Sequence, residues 1–159
     1  MKNLLVTSIL CSWACLIAQT QVNKIVFEFH HSLRIPNHEL LIHLTKDSSK
    51  AALHLVSNPM MTDKKWEHTR IDTNFTIEPK KFDEIVTAIK KISEKDIKHA
   101  EVMGFDGTDC KIQFGNSRDS TSFSAWLPDY ETNKRRLSDF LTACRLILAA
   151  AGLKPKEIL

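Results

Sequence analysis

The chain has 159 residues, 43% of them hydrophobic and 26% charged, with only four glycines and five prolines. That length holds one hydrophobic core of ordinary size, and that composition excludes a disordered, collagen-like or low-complexity chain. Its 22 basic and 19 acidic side chains leave a formal charge of +3, spread without a basic stripe, so nucleic acid is not an expected partner.

The first residues set an expected address. Met1-Lys2-Asn3 carries one positive charge, Leu4 to Ile17 is largely apolar, and Ala18-Gln19 returns the chain to polar sequence. This is the pattern of a secretory signal peptide over residues 1–18, followed by a single exported α+β domain over residues 19–159. The apolar run is shorter than the roughly 20 residues a membrane helix requires, and no later segment is long enough, so no transmembrane segment is expected in the mature chain. A lipid-anchored form would use Cys15, which follows Ala14, but Ser12 and Trp13 suit the preceding positions poorly. The expected location is periplasmic or secreted. Without Lys2 the balance is 21 basic against 19 acidic residues, or +2, and the cysteines that remain are Cys110 and Cys144. An oxidising compartment would let these two pair as a disulfide; unpaired, they would serve as small buried apolar groups.

Along the mature chain, Lys24 to His31 alternates with Ile25, Phe27 and Phe29 on one face, the signature of a half-buried strand. Pro36-Asn37 turns the chain. Glu39 to Thr45 and Ala51 to Ser57 then read as a hairpin; if Lys46 pairs with Ala51, His43 stands opposite His54. A fourth, edge-type strand is expected over Trp66 to Ile71, with Phe75 to Ile77 continuing it. Pro79 suits the first position of a helix, and Phe82, Ile85, Ile89 and Ile92 recur at helical spacing behind it. Lys98 to Met103 reads as a short strand. After the Asp106-Gly107 turn come two more strands, one with Cys110, Ile112 and Phe114 inward and one over Thr121 to Leu127. A last helix is expected from about Tyr130 or Asn133 to Ala151, with Leu137, Phe140, Leu141, Cys144, Ile147 and Leu148 as its apolar stripe and Gly152 as its terminator. The order predicts an α+β fold: an antiparallel sheet of about five to seven strands with two main helices on one face.

Three groups of residues are candidates for function. Six of the seven histidines, His30, His31, His38, His43, His54 and His68, fall in the first half of the mature chain. His43 and His54, with His30 or Glu28 nearby, could hold a zinc or copper ion, although the spacing matches no metal motif and partly exposed strand histidines need no ligand. Trp66 shares a face with His68 and Arg70, and Trp126 falls opposite Phe123, Ala125 and Leu127; aromatic side chains beside Arg and His suit a partner surface, unless a loop covers each ring. Nucleophilic chemistry has little support, since the chain lacks a Gly-x-Ser-x-Gly elbow, a helical zinc-protease pair and a phosphate-binding glycine loop. The run Lys134-Arg135-Arg136 reads as a solvated face, or as one met by an acidic group.

These features imply a non-enzymatic exported binding protein, acting on an unidentified envelope or extracellular protein as an inhibitor or immunity protein would, with no cofactor. A metal- or small-ligand-binding domain using the histidine face is the alternative. An uncharacterised hydrolase is the third possibility.

Overall fold

The computed structural model describes residues 21–34, 36–60, 68–100, 102, 104 and 106–159. The expected signal segment, residues 1–18, lies outside the described residues. Among the described residues, no helix is long and apolar enough to cross a membrane.

Four strands come first: β1 (Lys24–His31), β2 (Glu39–Lys46), β3 (Ala51–Asn58) and β4 (Ile71–Ile77). Helices α1 (Pro79–Ile89) and α2 (Glu94–His99) follow, then β5 (Thr108–Gly115), β6 (Ser120–Trp126), α3 (Ser138–Ala150) and the short α4 (Pro155–Ile158). All neighbouring strands pair antiparallel in one six-stranded sheet ordered β4-β3-β2-β1-β5-β6. The chain thus starts at the centre, meanders outward through β4, and returns with α1 and α2 to add β5 and β6 on the other side of β1. The fold is α+β, as the element order implies.

Alternation decides which face is dry. Ile25, Phe27 and Phe29 of β1 lie beside Leu44, Ile42 and Leu40 of β2, and beside Phe114, Ile112 and Cys110 of β5. Against this wall pack Phe82, Ile85 and Ile89 of α1 and Phe140, Cys144, Ile147 and Leu148 of α3, all buried. Phe27, Phe82 and Phe140 are the largest fully enclosed side chains, and burial of each stabilises the fold by roughly 1.5–3 kcal/mol. Pro79 takes the first turn of α1, where its missing N–H leaves no bond unmade. Gly152, at φ 74°, ends α3, and Leu153 N–H closes on Leu148 O at 3.0 Å.

The expected hairpin holds in detail: Lys46 pairs with Ala51 and His43 with His54. Asp47 Oδ1 accepts the N–H groups of Ser49 (2.9 Å) and Lys50 (2.7 Å), and these bonds hold its carboxyl below the usual range. Three expectations are corrected. Residues 98 and 99 end α2 instead of beginning a strand, because Glu94 and Asp96 in its first turn and Lys98 and His99 in its last favour the helix dipole, with Lys98 Nζ 2.6 Å from Glu94. The fourth strand starts at Ile71; His68 to Arg70 form no strand, and Trp66 lies outside the described residues. The last helix begins at Ser138, since Glu131 and Arg136 take left-handed φ values of 46° and 58° that no α-helix accommodates.

Arg135 is also unlike its expected solvated role. Only 7% exposed, it donates from Nη1 to Leu127 O (2.6 Å) and Tyr130 O (3.3 Å), and from Nη2 to Ala100 O (2.9 Å) and Trp126 O (2.8 Å). It ties the end of α2 to the end of β6 and the turn after it. Its neighbours do meet acids: Lys134 bonds Glu131 at 3.0 Å and Arg136 lies 3.6 Å from Asp96.

Candidate functional site

The helices cover one face of the sheet, and the strand register lays out the other as rows. One row runs Trp126, Asp109, His30, Glu39 and Asn58; the next runs Ser124, Lys111, Glu28, Leu41, Val56 and Asp72; a third runs Ser122, Gln113, Val26, His43, His54 and Asn74. Leu41 and Val56, paired in the second row, and Val26 in the third form an apolar patch within this polar field. Beside it, Lys111 Nζ reaches Glu28 at 3.3 Å. A concavity of 650 Å³ opens over the first two rows, lined by Glu28, His30, Glu39, Leu41 and Lys111 among others.

His43 and His54 face one another with ring centroids 6.2 Å apart. Their surroundings differ. His54 Nε2 lies 2.8 Å from Asp72 Oδ1, whose second oxygen accepts Arg70 Nη2 at 2.9 Å; the His54 hydrogen bond, then Arg70, hold the Asp72 carboxyl below its usual range. Burial, then the positive charges at Lys24 and His54, push the His43 pKa down. With His54 so engaged, His43 and His54 gather no third ligand among the described residues. The convergent set is elsewhere: one ligating atom each from His30, His38 and Glu39 lies within 4.8 Å of the others. The sequence held a faint signal for it, because His30 and Glu39 both alternate onto the polar face; the register that makes them neighbours did not show in spacing.

The residues singled out as a partner surface divide between the two edges of the sheet. His68 and Arg70 are exposed and lead into β4. Trp126 closes β6, five strand spacings away, about 24 Å at the usual separation. Its ring is half-buried under the turn before β5: a Cβ added at Gly104 would stand 2.1 Å from Trp126 Cζ2, so the glycine leaves the room the ring occupies. Beside it, Trp126, Val102 and Ile97 of α2 line a hollow of 340 Å³.

No protein-family model and no curated protein matches the chain. Its chemistry must be read from its own surface.

The two edges differ in protection. α2 packs against β6, and β6 turns Phe123 and Ala125 into the core. Among the described residues, β4 has no such cover. Its residues on the helical side of the sheet, Ile71 and Phe75, are 43% and 40% exposed, because α1 and α3 stop short of this strand and only Ile77 is buried. These seven residues, with Asp72 as their one charge and no proline or lysine, therefore present a backbone edge that no described strand pairs, with Ile71 and Phe75 exposed beside it.

Cys110 on β5 and Cys144 on α3 are brought together in the core as free thiols. Burial pushes the Cys110 pKa well up, and its hydrogen bond with Cys144 adds to this. Neither can serve as an exposed nucleophile. For a hydrolase, His54 and Asp72 offer a base and its orienting acid, but among the described residues no serine hydroxyl is hydrogen-bonded to a histidine.

Proposed function

We propose that the chain is an exported, non-enzymatic binding protein that takes a protein partner along β4, masking it as an inhibitor or immunity protein masks its target. The observation that carries this reading is the β4 edge, unpaired and uncovered among the described residues, with Ile71 and Phe75 exposed beside it. An added strand would satisfy the free N–H and C=O groups of β4, and its inward side chains would cover the two apolar groups that the helices leave wet. Asp72 and Asn74 on the opposite side of the strand, with His68 and Arg70 before it, supply polar discrimination. Export rests on the pattern of residues 1–18.

The test is the paired substitution Ile71→Lys and Phe75→Lys, which places blocking charges on the edge at positions too exposed to disturb the core. The unaltered chain is expected to retain one specific protein from the envelope of the producing cell, and the double variant, with an unchanged circular dichroism spectrum, to retain at least about tenfold less. Equal retention by the variant removes the partner from β4. Cleavage or covalent modification of the retained protein by the purified chain overturns the non-enzymatic reading.

A further inference from the structure

We infer that the chain carries a divalent transition-metal site, best suited to zinc, at the loop end of the β1–β2 hairpin, with His30, His38 and Glu39 as ligands. The inference is independent of the β4 edge. His30 and Glu39 are directly paired across β1 and β2 and turn to the same, helix-free face. His38 precedes Glu39 and is held in place by its own carbonyl, which accepts His31 N–H at 2.9 Å. The rings of His30 and His38 meet edge to face with centroids 4.6 Å apart.

The distances suit an ion of this class. Ligating atoms bound at about 2.1 Å to a tetrahedral centre stand roughly 3.4 Å from one another. Those of His30, His38 and Glu39 already lie within 4.8 Å, on a backbone fixed by strand pairing, so small side-chain rotations complete the approach. Two further observations point the same way. His38 Nδ1 is buried without a hydrogen-bond partner among the described residues, so the imidazole is not already committed through that nitrogen. Glu39 Oε2 accepts from Asn58 Nδ2 at 3.1 Å, the type of outer contact that orients a ligating carboxylate while leaving its other oxygen free.

Two imidazoles and a carboxylate select zinc, copper or nickel over the hard cations magnesium and calcium. Asp109, the partner of His30 on β5, adds negative charge beside the site. Three protein ligands leave at least one position open, and it would face the 650 Å³ concavity that His30, Glu39 and Asp109 line. The site is therefore built to hold a metal that still accepts an outside donor, such as a carboxylate or a thiolate.

Protein made without an affinity tag, titrated with zinc(II) in a calorimeter at pH 7.5, tests this. About one zinc per chain is expected, with magnesium(II) not competing. His30→Ala, His38→Ala and Glu39→Gln should each weaken zinc at least about 100-fold, and Asn58→Ala about tenfold. His43→Ala and His54→Ala should bind as the unaltered chain does. Glu39→Gln conserves shape at an exposed position, so it remains informative if His38→Ala does not fold. Absence of saturable zinc binding by the unaltered chain overturns the site, as does an equal loss in His43→Ala or full binding by Glu39→Gln.

Discussion

Arg135 offers the sharpest test of how this fold is held together. Its guanidinium is buried, faces no carboxylate among the described residues, and distributes its charge over the carbonyls of Ala100, Trp126, Leu127 and Tyr130. Its Nε has no partner among the described residues, so the arginine itself bears a desolvation cost. Replacement by alanine removes that cost but takes the guanidinium donors from the carbonyls of Ala100, Trp126 and Tyr130, while Leu127 O still accepts Tyr130 N–H at 3.1 Å. At about 1–3 kcal/mol for each buried acceptor left unpaired, and with the long 3.3 Å contact to Tyr130 O counting for little, the loss at Ala100 O and Trp126 O is about 2–6 kcal/mol; after the recovered desolvation we expect about 3 kcal/mol. For a domain of this length that lowers Tm by about 10 °C. Lysine cannot rescue it, because an ammonium directs its donors from one point and cannot span carbonyls held by a planar fork. Urea unfolding followed by circular dichroism should give Arg135→Ala a lower midpoint at unchanged slope, with Arg135→Lys much closer to alanine than to arginine. An alanine variant within about 1 kcal/mol of the unaltered chain would show that water satisfies these carbonyls, and the reasoning fails. A fully stable lysine variant would refute the claim that fork geometry matters.

Two further outcomes can be checked on the same instrument. Gly115 has φ 155°, and a Cβ there would stand 2.0 Å from the backbone oxygen of Asp119, so Gly115→Ala should cost about 1–3 kcal/mol and loosen the β5–β6 turn; an unaffected variant would mean the turn re-forms with other angles. Acid should act through His31 and His43. Burial first, then neighbouring positive charge, lowers both below the ordinary value of 6.5, so the unfolded chain binds protons that the folded chain refuses. Their contribution is intact above pH 6.5 and is lost as pH falls below it. The charges facing His43 include Lys24, His54 and Glu28, of which only Glu28 works in the opposite direction. A chain carrying His31→Gln and His43→Gln should show a shallower stability loss between pH 6.5 and 5; identical slopes would exclude these groups as the cause.

Much of the scaffold was legible because its local rules are strong. The four-residue loop between Lys46 and Ala51 sets the register of its hairpin, and the register alone places His43 opposite His54. Gly152 and Pro79 mark helix boundaries by backbone chemistry that tertiary context does not alter. The misreadings have equally local causes. The segment Lys98 to Met103 has mixed periodicity, and at Lys98 and His99 the pairing of Glu94 with Lys98 decided for the end of a helix. A helix that would have run through Glu131 and Arg136 gave way to turns whose carbonyls Arg135 gathers, a role that a run of three basic residues disguises. Trp126 does turn away from the core, as alternation requires, yet Gly104 lets a loop close over its ring.

By itself, then, the amino-acid sequence determined the α+β class, the dry and wet sides of each strand, and the helical stripes, since periodicity and turn residues act within a few positions of one another. Only the tertiary structure decided the strand order with β1 at the centre, the exposure of Ile71 and Phe75, the meeting of Cys110 with Cys144, and the convergence of His30, His38 and Glu39. The reason is physical. Alternation assigns a side chain to a face, but neighbours on that face come from other strands, and the pairing that brings them together follows from burying one continuous core.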